Sequence, residues 1–167
     1  MLTEEYVSPC GSLLLGVRGS GLCLCDWMAD GRIEKTLGRI QKFLPLSVET
    51  DNPDIIAAAG RQLDEYFAGS RKVFDVPLYA YGSDFRRIVW EAIRQIPFAS
   101  TVSYMRIAEM IGRSDAVRAV ANAVGSNPLS IFIPCHRIVG ADGSLTGYAG
   151  GMEAKRYLLN LEEGQTN

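Results

Sequence analysis

A nucleophile and a base stand side by side at Cys135-His136. The chain of 167 residues holds four cysteines and a single histidine. A multi-histidine metal site is therefore excluded, and any imidazole chemistry must use His136. Thiolate is the nucleophilic form of cysteine, and near neutral pH it needs a cation, a base or a helix N-terminus beside it. The pair closes an apolar, strand-length run, Leu129-Ser130-Ile131-Phe132-Ile133, fenced by Pro128 and Pro134. Pro134 offers no backbone donor and fixes φ, so the chain must leave any strand ladder there. Adjacent side chains of a strand point to opposite faces. Contact between Cys135 and His136 therefore requires a turn or a bridging water. Alone, such a dipeptide is also what chance places in a core.

Cys10, Cys23 and Cys25 lie near the start. In a strand Cys23 and Cys25 would share one face. Zinc would want a fourth ligand and usually a C-x2-C pair, and neither is evident. Small buried core thiols are the favoured reading, and no metal or cofactor is expected.

The elements that must carry these residues fall into two halves. Ser12–Arg18 and Leu22–Trp27 read as a hairpin about Gly19-Ser20-Gly21. Pro53–Phe67 reads as a helix, with Asn52 as N-cap, Pro53 at the first position, and Ile56, Ala59, Leu63 and Phe67 along its inner stripe. The stretch 69–83, with Gly69, Pro77 and Gly82, is the expected connection, dividing the chain into 1–78 and 79–167. Ser83 can cap a helix with Phe85, Ile88, Val89, Ala92, Ile93 and Ile96 inward. Ser103 can cap another over 103–111, with Ile107, Met110 and Ile111 inward. After Gly112-Arg113-Ser114 a further helix runs over 115–124. That outline is shared by a helix-turn-helix and by the commoner plain αα-hairpin. Glu162 and Glu163 stand at the end of a last predicted helix.

Composition is that of an ordinary globular chain: 47% hydrophobic, 22% charged, net charge −2. Disordered, collagenous and disulfide-scaffold classes are excluded. So is a strongly cationic coat for nucleic acid, but not local binding. Residues 1–81 carry 8 basic and 11 acidic side chains, net −3, and residues 82–167 carry 9 and 8, net +1. No run approaches the ~18–20 apolar residues of a membrane span, and the acidic start lacks a secretory n-region. A cytoplasmic protein is expected.

Residues 127–140, Asn-Pro-Leu-Ser-Ile-Phe-Ile-Pro-Cys-His-Arg-Ile-Val-Gly, closely resemble the active-site segment of the O6-alkylguanine-DNA alkyltransferases. Further matching landmarks are Phe85 to Trp90, Thr101-Val102-Ser103-Tyr104, Arg118-Ala119-Val120, Gly147-Tyr148-Ala149-Gly150-Gly151 and Leu158-Leu159-Asn160-Leu161-Glu162. They follow in family order across residues 83–164. Leu63 to Gly69 also fits, and the first ~50 residues match weakly. The resemblance implies an α/β, ribonuclease-H-like N-terminal domain and a mainly helical C-terminal domain with a helix-turn-helix.

It implies further that Cys135 irreversibly accepts the alkyl group, with His136 as base through a water. Glu162 would orient the imidazole, and Asn127 would brace the turn that bears the cysteine. Tyr104 would meet the departing base at N3 and the Ala149 N–H would meet O6. Tyr148 would line the pocket, and the carbonyls of Cys135 and Ile138 would read the exocyclic amine. Arg118 would fill the gap left by the flipped nucleotide, with Ser103 among the DNA contacts. The family often has Ser at the place of Ala149, which a main-chain contact tolerates, and Gly near Ala121, which bears on how closely DNA approaches. The bland readings are a solvated helix-end carboxylate for Glu162, a plain turn for Asn127-Pro128 and a surface cation for Arg118. The partner implied is double-stranded DNA bearing alkylated guanine, met by a monomer that joins the nucleoid when acting. The rival readings are a Cys-His hydrolase, a non-catalytic binder of alkylated DNA and a sequence-specific regulator.

Overall fold

The computed structural model describes residues 1–45 and 50–164. β1 (Leu2–Ser8), β2 (Gly11–Arg18) and β3 (Gly21–Trp27) form an antiparallel sheet in that order. β2 and β3 are the expected hairpin. β1 was not legible: as a largely solvent-exposed edge strand it carries little of the apolar alternation that marks a half-buried one. β3 is buried along its whole length, Cys23 and Cys25 included. α1 (Arg32–Gln41) was also missed: Ile33, Leu37 and Ile40 keep the helical period, but the helix is short and starts from Gly31 in a left-handed conformation rather than from a side-chain cap.

α2 (Pro53–Phe67) has the expected bounds. Asn52 Oδ1 accepts from the Asp54 N–H at 2.9 Å. The helix lies across all three strands. Its inner stripe is Ile56, Ala59, Leu63 and Tyr66. Tyr66, not Phe67, takes the last inward slot, since a helix returns to one face after three or four residues alternately.

The connection then runs beside β3, where Leu22 N donates to Pro77 O and Tyr79 N to Leu22 O, both at 2.8 Å. α3 (Asp84–Arg94) is capped by Ser83 and buries Val89, Trp90, Ala92 and Ile93. Ile88, expected inward, is 54% exposed beside the cleft between the connection and α3. The Trp90 indole N–H donates to Ala123 O at 2.8 Å, which pins α3 to α5 (Val117–Gly125). α4 (Tyr104–Met110), capped by Ser103, buries Ile107 and Ala108. Met110 faces outward, 38% exposed, because the chain leaves the helix there and Ile111 turns in instead. Gly112, with φ 71°, makes the left-handed step of the turn toward α5.

β4 (Val102–Ser103) pairs in parallel with β5 (Ile138–Val139). This short ladder sets the start of α4 beside the cysteine segment. α6 (Gly151–Gly164) closes the fold. One apolar core runs through both halves: Leu13, Trp27, Leu63 and Tyr66 belong to the same cluster as Val89, Ile93, Leu129, Cys135 and Leu158. Among the described residues no helix is long and apolar enough to cross a membrane.

Candidate functional site

The cysteine stands on a tightly specified turn. Beyond α5, the Pro128 carbonyl accepts from Cys25 N at 2.8 Å and Ser130 N donates to Cys25 O at 2.7 Å, which fastens the segment to β3. Ile131 then adopts φ 72° while buried. A left-handed, β-branched residue costs roughly 1–3 kcal/mol and persists only where its surroundings over-determine it. Pro134, at φ −78° and ψ 62°, is the centre of an inverse γ-turn closed by Cys135 N to Ile133 O at 2.7 Å. Proline suits that place, since its φ is fixed and it needs no partner for an N–H. A single 3-10 turn, Cys135–Arg137, follows.

Asn127 holds this turn together. Its amide Nδ2 donates to Ile133 O at 2.9 Å and to Cys135 Sγ at 3.2 Å, and its Oδ1 accepts from Leu129 N at 2.9 Å. The three contacts join both ends of the loop and place an N–H on the sulfur. Burial raises the Cys135 thiol pKa, and the Asn127 N–H partly offsets that by favouring the thiolate.

His136 and Glu162 are fully buried together. His136 Nε2 lies 2.7 Å from Glu162 Oε1. A carboxylate only accepts, so Nε2 carries the hydrogen and Nδ1 holds the lone pair. Nδ1 is buried and, among the described residues, has no hydrogen-bond partner. The basic nitrogen is thus the one left open. Burial lowers the His136 pKa despite the carboxylate, so the resting imidazole is neutral. Burial works against the Glu162 charge too. The hydrogen bonds from His136 and Arg137 outweigh it and bring the Glu162 pKa to about 2. Arg137 reaches Oε2 with Nε at 3.0 Å and Oε1 with Nη2 at 2.8 Å, and its Nη1 donates to Ile96 O at 2.7 Å. Tyr66 Oη donates to Oε1 at 2.8 Å and Ala99 N to Oε2 at 3.2 Å.

Tyr148 is half-buried beside His136, ring centroids 6.5 Å apart. The Trp27 indole N–H donates to Tyr148 Oη at 3.3 Å. A Cβ on Gly150 would meet the Trp27 ring at 2.5 Å, so only glycine lets the loop bearing Ala149 lie against Trp27. Tyr104 Oη pairs with Thr146 Oγ1 at 2.9 Å. Ile138 O accepts from the buried Lys155 Nζ, which also reaches Thr146 O at 3.2 Å. Asn127 is thus hydrogen-bonded to Cys135 and Glu162 to His136, the two pairs being linked by the Cys135–His136 peptide, whereas Arg118 and Ser103 make none of these contacts. Arg118 is exposed as the second residue of α5, one helical turn before exposed Ala121. The Ser103 hydroxyl accepts from Arg106 N at 3.1 Å as the cap of α4.

Sequence reasoning missed Arg137, Tyr66, Trp27, Thr146 and Lys155. Arg137 had a local signal, its place in Pro-Cys-His-Arg beside the only imidazole. For Tyr66 the helical period signals only an inward face, not the contact with Glu162. Trp27, Thr146 and Lys155 are brought in by tertiary packing alone. Among the described residues no three His, Cys, Asp or Glu side chains gather as a metal site.

Two family models span the chain. The 6-O-methylguanine DNA methyltransferase ribonuclease-like domain matches residues 1–80, and the DNA binding domain of the same family matches residues 84–164. A methylated-DNA–protein-cysteine methyltransferase of Methanosarcina acetivorans is 41% identical over 94% of this chain and 95% of its own. One of Mycolicibacterium paratuberculosis is 51% identical over 68% of each chain. Among solved structures, the O6-methylguanine methyltransferase of Mycobacterium tuberculosis superposes with a TM-score of 0.81 at 39% identity, covering 98% of this chain and 93% of that one. The Mycobacterium tuberculosis OGT in complex with DNA gives a TM-score of 0.79 at 40% identity, over 96% and 92%. With both halves matched in order and relatives aligned over nearly the whole length, the chain belongs to the 6-O-methylguanine DNA methyltransferase family.

Proposed function

We propose that the chain repairs DNA by moving the alkyl group of O6-alkylguanine onto Cys135 Sγ, once per molecule. The observation that carries this reading is the buried Asn127–Cys135 contact beside the His136–Glu162 pair, in a chain of this family. Displacement at an alkyl carbon wants a soft nucleophile, and thiolate is one. The thiol proton passes through a water to His136 Nδ1, and the imidazolium so formed is stabilised by Glu162. The S–C bond forms as the C–O6 bond breaks. The electron pair leaves on the guanine, which takes up a proton. Tyr104 meets the developing charge at N3 and the Ala149 N–H meets it at O6. Tyr148 lines the pocket, and the Cys135 and Ile138 carbonyls read the amine. The product thioether has no route back to a thiol, so the protein is consumed.

A base inside a duplex cannot be attacked in line and must be flipped out. In this reading α4 and α5 are a helix-turn-helix with α5 in the minor groove. Arg118 fills the vacated stack and Ser103 sits where α4 meets the backbone. Among the described residues Arg118 makes no ion pair, whereas Arg106 and Arg113 are held by Glu109 and Asp115. That leaves Arg118 as the helix pair's available arginine. The minor-groove code is degenerate, which suits a scanner that must ignore sequence. The protein works as a cytoplasmic monomer without a cofactor, residues 1–78 packing behind the site borne by residues 79–167.

A burst experiment tests this reading. Protein mixed with excess duplex carrying labelled O6-methylguanine should take up one methyl per molecule and then stop. Continued turnover would point to a Cys-His hydrolase-like cycle, and binding without uptake to a non-catalytic damage binder.

A further inference from the structure

Tyr66 stands in the N-terminal half, on α2, yet its hydroxyl donates to Glu162 Oε1 at 2.8 Å. That oxygen also receives His136 Nε2 at 2.7 Å and Arg137 Nη2 at 2.8 Å. We propose that Tyr66 is a positioning residue of the alkyl transfer: its hydroxyl shares the charge of Glu162 Oε1 with His136 and so sets how strongly the carboxylate draws a proton onto the imidazole. The proposal rests on the reading of His136 as the base.

Three observations support it. The contact is closed to water, with Tyr66, His136 and Glu162 all essentially unexposed, and a hydrogen bond to a charged group is strongest there. The ring is clamped: it contacts Phe67, Phe74 and Phe98 at centroid distances of 5.3, 5.5 and 6.4 Å. Phe98 in turn lies under the Arg137 guanidinium at 5.6 Å. The hydroxyl thus has a fixed aim. Finally, it is a neutral donor, since burial and the neighbouring carboxylate hold the phenol far above its ordinary range. It therefore withdraws charge from Oε1 without adding a competing cation.

Among the described residues, these groups face the pair. Tyr66 approaches from α2 and the Ala99 N–H from the loop after α3. Arg137 and Cys135 belong to the turn itself. Lys155 on α6 and Tyr148 lie on the imidazole side. Among them Tyr66 and His136 bring their donors to the same oxygen from different halves of the chain. Removing the hydroxyl leaves more of the Oε1 charge to the Nε2–H. The carboxylate becomes a stronger acceptor and the imidazolium is favoured. The His136 pKa should then rise.

The single histidine makes the test clean. Nitrogen-15 NMR of the free protein reports one imidazole, whether or not alkyl transfer occurs, so the outcome is separable from the repair reading. In Tyr66→Phe, which keeps the ring contacts, the His136 titration midpoint should move up by about half a pH unit, a threefold change in the protonation constant. The acid limb of the methyl-transfer rate should move with it. Site-specific 3-fluorotyrosine at position 66 keeps the ring and hydroxyl while sharpening the donor, and should move the midpoint down. Opposite shifts in the two variants support the proposal. An unchanged His136 midpoint in either folded variant, or an upward shift in both, overturns it.

Discussion

Asn127 shows how much one side chain does at this site. Its amide satisfies Ile133 O and Leu129 N and places a donor on the Cys135 sulfur. Asn127→Ala would leave the Leu129 N–H buried and unpaired and remove the thiolate's donor. We expect a stability loss of about 2 kcal/mol in urea unfolding. Methyl transfer should slow at neutral pH and partly recover at higher pH, because the thiol pKa rises further without the amide. Cys135 and His136, as the proposed nucleophile and base, make a second prediction. His136 is held below its ordinary value of 6.5 and Cys135 above its ordinary 9.0, burial being the main cause of each. In the free protein the base and the thiol therefore coexist between those limits. The second-order rate of transfer should be flat across at least pH 6.5–9.0, measured in a single-turnover assay, with the limbs belonging to the coupled pair. A rate that climbs steadily through that window would mean that His136 does not take the proton.

Among the elements, α6 matters because it brings Glu162 to the turn bearing His136 and Arg137. The Glu162 pKa lies at about 2 against an ordinary 4.5. A depressed carboxylate contributes stability that is complete above the unfolded value and lost as pH falls through the folded one. Wild type should thus lose stability between about pH 4.5 and 2 by a term that Glu162→Gln lacks, seen in urea midpoints measured across that window. The elements also show what can be read from sequence. α2 was legible to the residue, because Asn52, Pro53 and the apolar stripe are local signals that agree. The Ser83 and Ser103 caps were legible for the same reason. β1 was not, since an exposed edge leaves little alternation, and α1 was not, since its stripe of Ile33, Leu37 and Ile40 has no capping side chain beside it. Ile88 and Met110 kept the helical period yet face outward, because tertiary packing decides which edge of a stripe is covered.

At the scale of the molecule, the two halves share one core and both send a donor to the Glu162 carboxylate. The turn that bears Cys135 could be singled out because its residues are contiguous from Asn127 to Gly140. The support from Tyr66 and Trp27 could not, because it depends on how the halves pack, which no local pattern encodes. Charge is a whole-molecule property as well. The chain is net −2, and Arg106 is paired on α4 and Arg113 within the turn before α5. Few phosphates are neutralised in such a complex, so log affinity for duplex DNA should fall shallowly with log salt. A slope like that of a protein making ~6–10 phosphate contacts would contradict the account. The most direct test of the central claim is peptide mapping by mass spectrometry after reaction with O6-methylguanine duplex. One methyl on Cys135, with Cys10, Cys23 and Cys25 unmodified, is the predicted result. A methyl on another residue, or an unmodified Cys135 in protein that has bound the damaged DNA, would contradict it.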